Sequence, residues 1–104
     1  MRAIFSRAAT QDLRELRRYL SPLSPSGLAA VTSAIERRVQ VTLEHPDSGR
    51  PSPHPAIRES IEPRYGFLIP YVVRGEYLIV LRIYRSARKP LDYEALAKSL
   101  PRND

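Results

Sequence analysis

Phe67-Leu68-Ile69-Pro70-Tyr71-Val72-Val73-Arg74-Gly75-Glu76-Tyr77-Leu78-Ile79-Val80-Leu81-Arg82-Ile83-Tyr84 carries the architecture of this chain. Two apolar runs, Phe67–Val73 and Tyr77–Tyr84, meet at Arg74-Gly75, a joint short enough to force a hairpin, with Gly75 supplying the positive φ of a tight turn. On the first run Phe67, Ile69, Tyr71 and Val73 share a face by the period of two. Pro70 has no amide for the ladder, so it requires a bulge or an outward-facing position. On the second run Tyr77, Ile79, Leu81 and Ile83 face one way, and Leu78, Val80, Arg82 and Tyr84 the other. A strand apolar on both faces is central. A cluster of guanidinium groups, Arg82, Arg85 and Arg88, follows where the sheet ends.

Working upstream, Ile57–Glu62 alternates Ile57, Glu59 and Ile61 with Arg58, Ser60 and Glu62, the pattern of a strand with one wet face. Pro46, Pro51, Pro53 and Pro55, with Gly49, fix an irregular loop that is neither helix nor central strand. Before the loop, Leu28, Val31, Ile35, Val39 and Leu43 form the apolar stripe of a helix that starts at Ser24-Pro25 and runs to about Glu44. Ala30, Ala34 and Val41 lie on another side of it. A first helix, capped by Ser6 and ended by Ser21-Pro22, buries Ala9, Leu13, Leu16 and Leu20 and wets Arg7, Gln11, Arg14 and Arg18. The two helices lie antiparallel. Arg2–Phe5 is a short first strand; Asp92 caps a last helix, Tyr93–Leu100, with Leu91 and Leu96 as its staple and Pro101 closing it. The order β-α-α-β-β-β-α defines an α+β fold: an N-terminal strand, an antiparallel helical hairpin packed on an antiparallel β-sheet, and a short C-terminal helix. Residues 1–104 read as one domain with a tail at 101–104.

Composition narrows the chemistry. The chain has no cysteine, which removes disulfides, thiolate nucleophiles and cysteine–zinc sites. His45 and His54 stand apart from any carboxylate cluster, so neither a metal nor another cofactor is expected. No apolar stretch spans a bilayer, and Met1-Arg2-Ala3-Ile4-Phe5 is too short and soon too polar for a signal peptide, so a cytoplasmic location without membrane contact is expected. The net charge is +6, and among 17 cationic side chains only Lys89 and Lys98 are lysines. Planar guanidinium groups favour carboxylate or phosphate, hence an anionic partner.

The run Phe5-Ser6-Arg7-Ala8-Ala9-Thr10-Gln11-Asp12-Leu13 is similar to the first strand and helix of the RelE/ParE toxins of bacterial toxin–antitoxin pairs. Pro46-Asp47-Ser48-Gly49-Arg50-Pro51 resembles their loop after the second helix, and Ile57-Arg58-Glu59 the start of their second strand. The stretch from Leu68 to Ile83, with Arg88 beyond it, resembles the ParE branch. The likeness covers roughly residues 2 to 90. It implies one of two activities. RelE-like members cut mRNA in the ribosomal A site, whereas ParE-like members inhibit DNA gyrase by binding. Either is neutralised by an antitoxin, here a ParD-like acidic one, that wraps the toxin with a helix and an extended segment.

The residues bear on the choice. RNA cleavage needs a base for the 2′-hydroxyl, an acid for the leaving oxygen and cations on the phosphate. Arg58, Arg82 and Arg85 supply cations, with Tyr84 or Tyr93 as candidate acid and Glu59 or Glu62 as candidate acceptor. Many relatives carry a His just after the last strand where this chain has Arg85, and arginine stays protonated. The scarcity of lysine points the same way. The expectation is therefore a gyrase-directed toxin that binds its target or antitoxin through Arg58, Arg82, Arg85 and Arg88. The alternatives are a ribosome-dependent ribonuclease and an inactive toxin-fold partner or co-repressor. Direct contact with nucleic acid is expected only through the complex or the ribosome.

Overall fold

The computed structural model describes residues 1–86, 89–98 and 100. Arg88, Pro101 and the tail at 101–104 lie outside the described residues. The elements follow as β1 (Arg2–Phe5), α1 (Arg7–Leu20), α2 (Pro25–Glu44), β2 (Arg50–Pro51), β3 (Arg58–Glu62), β4 (Phe67–Arg74), β5 (Tyr77–Val80), β6 (Tyr84–Arg85) and α3 (Tyr93–Lys98). The sheet order is β1-β5-β4-β3-β2, with β6 also on β4. The α+β fold is as the sequence predicts. Its sheet is mixed, because β1 joins β5 in parallel, Ala3 opposite Leu78. β5 is central, between β1 and β4.

Local signals place the helices. The Ser6 hydroxyl accepts the Ala9 amide at 3.0 Å, and the Ser24 hydroxyl accepts the Gly27 amide at 3.0 Å with Pro25 at the first helical position. Each thus satisfies a donor that the first turn leaves free. The stripes from α1 and α2 meet one face of the sheet. Ala9, Val31, Ile35 and Val39 pack there with Phe67, Ile69, Tyr71, Leu78 and Val80. The other face carries a smaller core of Ile57, Val72, Ile79 and Leu81, covered by Tyr93, Leu96 and Ala97 of α3. Asp92 caps α3 by accepting the Ala95 amide at 3.1 Å.

Three polar residues of β3 are not on a wet surface, unlike the exposed Arg58: Glu59, Ser60 and Glu62 are all buried. Each has a partner. Ser60 accepts Arg38 Nε at 2.8 Å and lies 2.8 Å from the Thr42 hydroxyl. Glu62 accepts the amides of Arg64 and Tyr65 at 2.7 and 3.0 Å, capping the turn into β4, so it pairs with no guanidinium of Arg58 or Arg64 there. Ala34 is buried too, whereas Val41 is exposed.

The long run after Gly75 is divided. Three residues, 81 to 83, lie between Val80 (opposite Tyr71) and Tyr84 (opposite Leu68), but only two, 69 and 70, lie between their partners. That mismatch is a β-bulge. Pro70 explains its position. Leu81 donates its amide to the Pro70 carbonyl at 2.8 Å, but proline has no amide to return. The Leu81 carbonyl accepts the Ser6 hydroxyl instead, at 2.9 Å. Alternation breaks at this point. Ile83 joins the helix-side core, not the face of Ile79 and Leu81 on which strict alternation places it. At the hairpin tip, Gly75 has φ +57° and, among the described residues, no non-glycine residue has positive φ, as a type II′ turn requires.

The Pro-rich loop is anchored from within the sheet. The buried Tyr71 phenol donates to the Pro46 carbonyl at 2.6 Å and accepts the Gly49 amide at 3.0 Å. A Cβ on Gly49 would stand 2.5 Å from that phenol oxygen, so only glycine permits the approach. Pro51, within the loop, lies in the two-residue outer strand β2, where an edge tolerates proline.

Candidate functional site

A cleft of about 530 Å³ lies beside the bulge, between α1 and β6. Leu16, Tyr19 and Leu20 of α1 and Phe67 of β4 line it, together with Arg82, Ile83, Tyr84 and Arg85. Its size lies within the range of roughly 300–1,000 Å³ typical of ligand pockets.

Along one wall, Asp12 of α1 accepts Arg82 Nε at 2.7 Å, Arg82 Nη2 at 3.0 Å and the Ile83 amide at 2.9 Å. One carboxylate thus fixes both the guanidinium and the irregular backbone of the bulge. The side chains are partly buried, 29% exposed for Arg82 and 12% for Asp12. The hydrogen bond that Arg82 donates to Asp12 holds Arg82 above the ordinary arginine pKa, against the opposing effect of burial. The guanidinium carbon also stands 5.3 Å from the Tyr84 ring centroid. Arg85 differs. It is exposed, stands 5.3 Å from the centroid of the Phe67 ring, and belongs to neither of the two ion pairs among the described residues.

Of the residues singled out from the sequence, the fold gathers Arg82, Tyr84 and Arg85 at this cleft. It does not bring Arg58 or Tyr93 to it. Arg58 lies across β4 on β3 and donates Nη1 to the Gly49 carbonyl at 2.8 Å. Tyr93 packs on the opposite face of the sheet, where its phenol donates to the buried Glu59 carboxylate. Burial, and then that hydrogen bond, hold the Tyr93 phenol well above the usual tyrosine range. Glu59 also accepts Arg50 Nε at 2.6 Å. The Tyr84 phenol donates to the Lys89 carbonyl. The two candidate acids thus sit on opposite faces, each already donating its proton to a partner. His54 accepts the Ala56 amide through Nδ1 in the Pro-rich loop, far along the chain from the cleft.

Sequence reading missed Asp12 and Arg50. Asp12 sits on the flank of the apolar stripe of α1, where a carboxylate becomes half-buried, and that position was the available signal. Among the described residues no group of three or more His, Cys, Asp and Glu side chains is placed to hold a metal ion. No described helix is long and apolar enough to cross a membrane.

A helical hairpin laid on one face of a mixed sheet, with a short helix on the other, is an architecture seen in toxin–antitoxin pairs. A solved chain described as the chromosomal ParDE toxin–antitoxin system from P. aeruginosa matches it with a TM-score of 0.70 and 27% sequence identity, over 82% of this chain and 95% of that one. Among curated proteins no significant match is found. The class is thus a type II toxin. The family model described as "ParE toxin of type II toxin-antitoxin system, parDE" matches residues 3–90, and the chain belongs to the ParE toxin family.

Proposed function

We propose that this chain inhibits DNA gyrase by binding it in the cytoplasm, without covalent chemistry of its own, and that a cognate acidic antitoxin neutralises it. The observation that carries the reading is the state of Arg85. Its exposed guanidinium is held over Phe67 beside a cleft lined by both apolar and polar side chains, free of the ion pairing that occupies Arg82. An unpaired cation beside apolar side chains fits a polypeptide that offers a carboxylate next to an apolar anchor; the anchor supplies contact area and the charge pair supplies orientation. Arg88 extends the same cationic end of the sheet in sequence. The separation of Tyr84 from Tyr93, and Arg85 in place of a base, also support binding over acid–base catalysis.

Purified protein should block supercoiling by gyrase or trap cleaved plasmid with it, and Arg85→Ala should weaken that effect at least tenfold. Primer extension on translated mRNA provides the opposing result. Cuts at the A site, with supercoiling untouched, would replace this reading with that of a ribosome-dependent ribonuclease.

A further inference from the structure

The outer face of α1 is a second cationic surface, separate from the cleft. At about 100° per residue, Arg7, Gln11, Arg14 and Arg18 fall in one narrow sector of the helix, and no other residue of α1 shares it. All four are exposed. Neither ion pair among the described residues involves these arginines; Asp12 is occupied by Arg82, and Glu15 accepts the Gln11 amide at 3.2 Å. At a rise of about 1.5 Å per residue, the three guanidinium groups stand in line over roughly 16 Å.

The helix gains little stability from this arrangement: Arg18, in the last turn, suits the negative end of the helix dipole, but the other charges work against it. Arg14 and Arg18 are like charges four residues apart, which repel. Arg7 sits at the positive end of the helix dipole, in a first turn that has no acidic residue. A solvated face serving only solubility would do better with glutamates among the arginines. The ridge also lacks any exposed apolar or aromatic side chain. Protein interfaces centre on such anchors and deplete charge at their core, whereas protein–DNA interfaces are polar and strongly positive. A straight row of arginines on a rigid helix matches the regular charges of a phosphate backbone.

We propose that the Arg7–Arg14–Arg18 ridge of α1 binds the phosphate backbone of duplex DNA directly, in the free chain and without regard to sequence. This contact does not depend on the gyrase reading, since it is measured in the absence of gyrase. If both hold, the ridge would lie against DNA while the cleft engages the enzyme.

The test is fluorescence anisotropy of a short mixed-sequence duplex with the purified chain across a salt series. Three phosphate contacts predict a log–log salt slope of about −2.7, so affinity should fall roughly 40-fold between about 50 and about 200 mM salt. Arg7→Gln, Arg14→Gln and Arg18→Gln together should weaken binding at low salt at least tenfold and flatten the slope by about 2.7. A control triple of equal charge change, Arg37→Gln, Arg64→Gln and Arg74→Gln, should stay within about threefold of the parent. Circular dichroism checks that both triples stay folded. Equal losses in the two triples, or no binding by the parent at low salt, would overturn the proposal. So would a ridge triple that keeps its DNA affinity and instead loses binding to an acidic polypeptide such as polyglutamate.

Discussion

Asp12 and Arg82, 70 residues apart in the chain, form a two-pronged ion pair in which the carboxylate also accepts the Ile83 amide. This contact ties α1 to the bulge that shapes the cleft. Asp12→Asn would keep the size of the side chain but lose its charge and one of its acceptor oxygens. The pair is partly solvated, so the expected loss is about 2 kcal/mol, within the range for hydrogen bonds to charged groups. Urea unfolding of the variant measures it. A change below about 0.5 kcal/mol would mean that the backbone alone holds the bulge.

Arg82 and Arg85 should separate stability from binding. Arg82→Ala leaves Asp12 half-buried and without its cation, so it should destabilise the fold by an amount similar to Asp12→Asn. Arg85→Ala removes only an exposed side chain resting on Phe67 and should alter stability by less than about 0.5 kcal/mol. Gyrase inhibition should show the reverse order at concentrations where both variants are folded. Equal loss of inhibition by the two at matched stability would show that Arg82 also reaches the target.

The elements legible in the sequence were those with local signals. Ser6, Ser24-Pro25 and Gly75 each satisfy a need within a few residues of themselves, and each stands where it was expected. The parallel pairing of β1 with β5 is a long-range contact between the two ends of the fold, with nothing local to announce it. Pro70 did signal a bulge, but the extra residue sits in the facing run, at 81 to 83, where the sequence reads as unbroken strand. The same slip moved Ile83 to the other core, while the partner of Arg82, Asp12, lies 70 residues away, so the candidate site was legible as a group of arginines but not in its pairing. The burial of Glu59 and Glu62 was not legible, because their covers, α3 and the turn at Arg64-Tyr65, come from other segments.

Ser6 and Pro70 should be coupled in energy although neither touches the other's side chain. Ser6→Ala removes the α1 cap and strands the Leu81 carbonyl, for a combined cost of about 2 kcal/mol. Pro70→Val would supply an amide facing that carbonyl. Ser6→Ala should therefore cost about 1 kcal/mol less in the Pro70→Val background, a difference that a double-mutant cycle resolves. Strict additivity would mean that the Leu81 carbonyl is satisfied in some other way.

Stability should fall in alkali through two phenols, one buried and one half-buried. Burial raises the Tyr71 phenol above the ordinary 10.0. Tyr93 is raised further, by burial and by its hydrogen bond to Glu59. A folded-state pKa above the unfolded one means that, beyond about pH 10, the unfolded chain has released protons that the folded chain retains. The stabilisation is complete below the unfolded value and is lost as pH rises towards and through the folded one. Each tyrosine then contributes a slope of up to about 1.4 kcal/mol per pH unit. Urea midpoints at about pH 8 and about pH 11 measure the loss. Tyr93→Phe should lower stability at the lower pH, because Glu59 loses a donor, yet reduce the further loss between the two. A variant as steeply pH-dependent as the parent would place the alkaline transition elsewhere in the molecule.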